Sequence, residues 1–147
     1  MTISEEDGFV LDASVLVELV GDGRHRVAAD ALLDRIEGDG EPVLITAAHG
    51  LVEAIHAYRR LEAQGEVDPR SAGLAVRDLG RLPLLVDPAG PRRERIWSLR
   101  RTMTAYDAAY AAAAEALNAP LLTVDVRLLR ACASAGIPAA HLDDLAA

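Results

Sequence analysis

The chain alternates short apolar runs with longer stretches of helical periodicity, and several of the short runs close on a polar residue. The first run, Phe9 to Leu11, stops at Asp12 and turns into a helix beginning near Ser14. A run this short, bounded by turn signals, fits a buried strand. Val15 to Val20 predicts a short helix ended by Gly21 and Gly23, and His25 to Glu37 a second one burying Val27, Leu32, Leu33 and Ile36. Gly38 and Gly40 break the chain before the next run, Pro42 to Thr46, where Thr46 is placed to cap a helix extending to about Gln64. On that helix Leu51, Ile55, Tyr58 and Leu61 recur at helical spacing and mark the buried face. The same wheel puts Glu53 on the polar side with His49, His56 and Arg60, where a solvated carboxylate is the simplest reading.

Asp68 and Pro69 supply an N-cap and a first-turn proline for a helix that Gly80 closes, and Leu82 to Val86 forms the third strand. A helical stretch from Pro91 to Arg101 follows. Thr104 and Asp107 have the spacing of a capping box ahead of an Ala-rich helix to Leu117. Pro120 to Val124 is a fourth apolar run, closed by Asp125; Arg127 to Ser134 then predicts a last helix, with a fifth strand around Ile137. From His141 to Ala147 the pattern says nothing further. Strands alternating with helices throughout make this an α/β chain with a parallel sheet flanked by helices. At 147 residues one domain, spanning 1–147, is expected.

Composition changes this picture in three ways. With 51% hydrophobic but only 3% aromatic residues, the core must be aliphatic and Ala-rich, and base stacking is disfavoured as a binding mode. The charge of −8 excludes a general attraction to nucleic acid through overall field, so any such affinity must be local. All 15 basic residues are Arg, and five of them (Arg92, Arg93, Arg95, Arg100 and Arg101) crowd around Trp97. That segment reads equally as a solvated face with Ile96, Trp97 and Leu99 turned inward. The single cysteine, Cys132, excludes an internal disulfide and a cysteine zinc site and reads as a small buried hydrophobe. The N-terminus lacks the basic and apolar regions of a leader and no run approaches spanning length, so a cytoplasmic protein is expected.

The candidate chemistry is acidic. In open parallel sheets ligands bind beyond the carboxyl ends of the strands, and two apolar runs deliver Asp12 and Asp125 to that edge. Either residue alone is also a reasonable helix cap, and Asp107 has the same structural explanation. Several acid-bearing α/β sites are excluded: Asp12-Ala13-Ser14 lacks the second Asp of a haloacid-dehalogenase-like phosphatase, and the absence of Lys removes receiver domains and Walker-type loops. No glycine-rich dinucleotide fingerprint follows the first strand. His49 and His56 flank Glu53 but lack the spacing of a zincin motif.

Leu11-Asp12-Ala13-Ser14, Glu53 in the third helix, Tyr106-Asp107-Ala108 at a late helix start, and Pro120 to Asp125 together resemble a PIN domain of the VapC toxin type. The resemblance runs from about Phe9 to Ile137. It implies a sheet of order 3-2-1-4-5, with the strands ending in Asp12 and Asp125 side by side. It further implies that Asp12, Glu53, Asp107 and Asp125 hold Mg²⁺ or Mn²⁺, with Ser14 and Thr123 as supporting hydroxyls. Relatives often carry another Asp after the last motif; here Val126, Arg127 and Leu128 follow, so a second metal would be held weakly or only with substrate. The implied activity is a metal-dependent endoribonuclease toxin that hydrolyses phosphodiester bonds to 5′-phosphate and 3′-hydroxyl ends. A homodimer neutralised by a small VapB-like antitoxin is implied as well. The basic segment itself, not the resemblance, makes Arg100 and Arg101 candidate contacts to RNA phosphates at the rim of the acidic site. Two other readings stay open: a PIN nuclease of RNA processing without an antitoxin, and a non-catalytic α/β binding module whose acids are caps.

Overall fold

The computed structural model of the protein describes residues 8–36 and 42–146. The expected helix end at Glu37, the break at Gly38 and Gly40, and the N-terminal segment 1–7 lie outside them. In chain order the elements are β1 (Gly8–Leu11), α1 (Ala13–Leu19), α2 (Arg26–Ile36), β2 (Val43–Ala47), α3 (Gly50–Ala63), α4 (Pro69–Leu79), β3 (Leu84–Asp87), α5 (Arg93–Ser98), α6 (Ala105–Leu117), β4 (Leu121–Thr123), α7 (Val126–Ala135) and β5 (Ala139–His141). A 3₁₀ turn, Gly90–Arg92, leads into α5, and another, Leu142–Ala146, follows β5.

The strands form one parallel sheet in the order β3-β2-β1-β4-β5, the order the resemblance implies. Placing β1 at the centre explains its composition, because a strand covered by helices on both faces has no polar side to show. Its successive side chains alternate between two cores: Val10 joins Ile45, Leu121 and the alanines of α6. Phe9 and Leu11 join Leu44, Leu122 and the apolar faces of α1 and α2. The chain is thus three layers, helix on sheet on helix. Ala108 to Ala114 are all buried, so α6 lies close against the sheet with its N-terminus at the sheet's carboxyl edge. Asn118, at φ 51°, ends α6 in the left-handed conformation that asparagine tolerates.

Several local expectations change. Thr46 does not cap α3; it lies within β2, and its buried hydroxyl donates to the Leu11 carbonyl at 3.0 Å. Gly50 makes room for it, since a Cβ there would sit 2.1 Å from Thr46 Oγ1. The buried stripe of α3 is Gly50, Ala54 and Tyr58, while Ile55 is exposed, because small residues let α3 approach α1 closely. Val27 and Trp97 are exposed rather than inward, whereas Leu32 and Leu99 are buried as expected. The fifth strand starts two residues beyond Ile137, which itself belongs to the core. The C-terminal segment is also structured, with Leu142 fully buried against α2 and its neighbours.

Candidate functional site

The order of the strands creates a crevice. From β1 the chain steps to β2 on one side, while β4 pairs with the other side, and open α/β sheets bind ligands beyond the strand ends at such a switch point. Asp12 and Asp125 leave β1 and β4 at that point. Each caps the helix that follows: Asp12 accepts from the Val15 N–H at 3.2 Å, and Asp125 from the N–H groups of Arg127 and Leu128 at 2.9 and 3.4 Å. The capping reading is therefore correct for both residues, yet it is incomplete.

Asp12 is only 5% exposed and sits in a web of hydroxyls. Ser14 Oγ donates to one carboxylate oxygen at 2.6 Å, and Thr123 Oγ1 donates to the other at 2.7 Å. Each hydroxyl in turn accepts a backbone N–H just past β4, Ser14 from Val124 at 3.1 Å and Thr123 from Asp125 at 3.0 Å. With their single protons both committed to Asp12, the two hydroxyls are arranged for an ionised carboxylate. Burial nonetheless wins: it pushes the Asp12 pKa up to about 6, against the lowering effect of Ser14, Thr123 and the Val15 N–H, with the Asp107 charge adding to the rise. A rise of this size corresponds to a cost on the order of 3 kcal/mol for ionising the group, with the capping hydrogen bond from Val15 already included.

Asp107, in the first turn of α6, is held above the usual carboxylate range by burial and then by the charges of Asp125 and Glu53. Among the described residues only half of the expected capping box forms, the Asp107 N–H donating to Thr104 Oγ1 at 3.1 Å. Glu53 completes the group from α3. Tyr110 O–H donates to its Oε1 at 2.9 Å, and His49 Nε2 lies 2.8 Å from the same oxygen. The polar face of α3 thus borders an open cavity, with Glu53 half-buried at its wall and His56 and Arg60 exposed to solvent. That cavity, about 580 Å³, is lined by Asp12, Glu53, Asp107 and Asp125 together with Ser14 and the α3 residues His49, His56 and Arg60. Thr123 lies fully buried behind it. A cavity of similar size, about 550 Å³, opens between α1 and α4, but none of these carboxylates lines it.

The remaining candidates fall elsewhere. Arg100 is exposed, its guanidinium 4.5 Å from the centre of the Trp97 ring, and Arg101 is exposed beside it. Arg92 pairs with Asp87 through two hydrogen bonds of 3.1 and 3.0 Å, and Arg95 pairs with Glu115 at 2.8 and 2.9 Å. Sequence reasoning missed Tyr110 and His49, which fix Glu53. Tyr110 was visible as the one large side chain within the alanine run of α6, and a buried tyrosine needs a partner for its hydroxyl.

A divalent cation fits the donor set. Four oxygen-donor side chains converge on one cavity, and two of their pKa values are raised, in part by one another's charge. They do not close into a tight cage: among the described residues the only three potential ligand atoms all within 4.8 Å of one another belong to His25, His141 and Asp143. An open carboxylate site suits Mg²⁺, which keeps several waters and takes one or two carboxylates.

The raised pKa of Asp12 has a consequence for metal-free protein. Between the unfolded value of 3.8 and the folded value of about 6 the native state binds more protons, so stability falls as pH rises through that window. In chelator, wild type should lose on the order of 2–3 kcal/mol relative to Asp12→Asn between pH 4 and 7. Parallel urea melts across that range check this, and a constant difference between the two proteins would contradict it.

The PIN domain family profile matches residues 9–134. Ribonuclease VapC1 of Mycobacterium tuberculosis is 36% identical over 137 residues, covering 90% of this chain and 94% of that protein. Among solved structures, PAE2754 from Pyrobaculum aerophilum superposes with a TM-score of 0.69 at 23% identity, covering 95% of this chain and 87% of that one. VapBC2 from Rickettsia felis, bound to a DNA fragment from its promoter, gives 0.65 at 13% identity over 91% and 98% of the two chains. The chain belongs to the PIN-domain family, with VapC ribonucleases among its relatives.

Proposed function

We propose that the protein is a metal-dependent endoribonuclease, the toxin of a toxin–antitoxin pair, with its reaction centre in the acid-lined cavity. The observation that carries this reading is the convergence of Asp12, Glu53, Asp107 and Asp125 from four separate elements on one cavity at the sheet's switch point. The relatives named as VapC ribonucleases support RNA as the substrate, since hydrolysis by an activated water does not itself distinguish RNA from DNA.

Asp12, Asp107 and Asp125 would hold Mg²⁺ or Mn²⁺, Asp12 at the floor of the cavity and the other two nearer its mouth. Such a cation lowers the pKa of a coordinated water and stabilises charge developing on phosphoryl oxygens. Ser14 and Thr123 hold both Asp12 oxygens in place and favour the ionised form against the effect of burial. Glu53, fixed by Tyr110 and His49, presents a carboxylate that can position the attacking water and take up its proton. In-line attack on phosphorus would leave 5′-phosphate and 3′-hydroxyl ends.

Substrate phosphates need a cationic approach that a chain of charge −8 does not supply as a whole. With Arg92 and Arg95 engaged by Asp87 and Glu115, Arg100 and Arg101 are the members of the basic segment we assign to RNA. A VapB-like antitoxin and a homodimer complete the proposal; the VapBC2 assembly among the structural neighbours supports the former.

Asp12→Asn or Asp107→Asn should abolish RNA cleavage and growth inhibition while the protein stays folded, as read from end-mapping of 5′-phosphates and circular dichroism. Full cleavage by purified Asp107→Asn would remove the acid cavity from the reaction. Neutralising Arg100 and Arg101 together should weaken RNA binding across sequences and reduce the slope of log affinity against log salt by roughly 1–2. An unchanged slope would assign these arginines to another partner.

A further inference from the structure

Two of the four histidines meet at a place that has nothing to do with the acid cavity. His25 precedes α2, His141 ends β5, and Asp143 follows two residues later in the C-terminal 3₁₀ turn, so two segments far apart in sequence bring nitrogen and oxygen donors together. The imidazole rings lie 5.4 Å apart, and one potential ligand atom from each of the three residues falls within 4.8 Å of the others. His25 Nδ1 is 2.8 Å from one Asp143 oxygen, and His141 Nδ1 is 3.7 Å from the other. Donors around a cation with bonds of 2.0–2.1 Å stand about 2.9–3.4 Å apart at octahedral to tetrahedral angles. The two nitrogen–oxygen separations, which run to different Asp143 oxygens, lie on either side of that range, so side-chain rotation would draw the three donors around one cation. His141 would exchange the 3.1 Å hydrogen bond it accepts from the Asp143 N–H for a coordinate bond.

We propose that His25, His141 and Asp143 form a three-donor site for a borderline transition-metal cation of the zinc type. Two imidazoles and one carboxylate suit Zn²⁺, Co²⁺ or Ni²⁺, whereas an all-carboxylate cavity suits Mg²⁺ or Mn²⁺. One chain therefore offers two sites that ligand chemistry keeps separate. The His25 and His141 side chains are 11% and 20% exposed, while Asp143 at 53% leaves an open side for entry and for a water as the fourth ligand. A cation there clips the C-terminal turn to the start of α2, the pair of elements that Leu142 already packs together. This role is independent of catalysis, because none of the three residues lines the acid cavity.

Zn²⁺ titrated calorimetrically into the chelator-treated full chain, with the Co²⁺ visible spectrum as a report on ligand type, tests the site. Zn²⁺ can also enter the acid cavity of the wild type, so the diagnostic protein is Asp107→Asn, which should keep one Zn²⁺ site with the affinity it has in the wild type and gain thermal stability from it. In His141→Ala and Asp143→Asn, both at accessible positions, affinity should fall by at least the roughly 10–100-fold that losing even an outer partner of a metal ligand costs. Circular dichroism verifies that these variants fold. Unchanged affinity in both variants would overturn the proposal. So would loss of the zinc site in Asp107→Asn or His49→Ala, which would move it to the acid cavity. The nuclease reading fails separately, through Mn²⁺ binding and RNA cleavage, neither of which depends on His141.

Discussion

The structure turns on one buried carboxylate. Asp12 ends the central strand, and the two hydroxyls that grip it come from α1 and β4, each also holding a backbone N–H beyond β4. The same five groups therefore join β1 to β4 and set the direction in which the chain leaves both strands. Ionising Asp12 in this buried place costs stability even with its hydrogen bonds made, and the surrounding apolar layers offset that cost. Leu11 and Leu16, fully buried next to it, each contribute about 1.5–3 kcal/mol. The cavity is a destabilised spot maintained by a rigid frame, as binding and catalytic sites commonly are.

Around that spot, charge is sorted by distance from the cavity. Asp87 also stands at a strand's carboxyl end, but β3 is the sheet's outer strand, and Arg92 neutralises this Asp through paired hydrogen bonds. Among the described residues Asp12, Asp107 and Asp125 form no such ion pair, although the Arg127 charge lowers the Asp107 pKa somewhat, and Arg60 is the one arginine among the residues lining the cavity.

Much of this was legible in the residues. Buried parallel strands are short unbroken apolar runs, so β1, β2 and β4 announced themselves, and the Asp residues closing β1 and β4 marked the ligand edge. Strand order was not legible from periodicity, because it depends on which runs pair; it came from the resemblance, and the structure bears it out. The buried face of α3 was misread because the helix packs through Gly50 and Ala54, and a wheel that weights large side chains points to Ile55 instead. Glu53 looked solvated for the same reason: a polar helix face is the same pattern whether it meets bulk water or an acidic cavity. Asp12 could be read as a cap or as a site: it does cap α1, and the adjacency of β1 and β4, which brings Ser14 to Thr123 around it, is what the cap reading leaves out. His25 and His141 stand near opposite ends of the chain, and nothing in sequence spacing foretells their meeting.

The central claim is that the acids repel one another in the metal-free fold and are reconciled by a divalent cation. Thermal melts of wild type and Asp125→Asn, each in chelator and in Mn²⁺, test it most directly, since asparagine caps a helix about as well as aspartate. In chelator the variant should melt at or above the wild type. Mn²⁺ at about 100 times its dissociation constant should stabilise the wild type by roughly 2.7 kcal/mol and the variant by much less. Equal shifts in the two proteins, or no shift in either, would contradict the account.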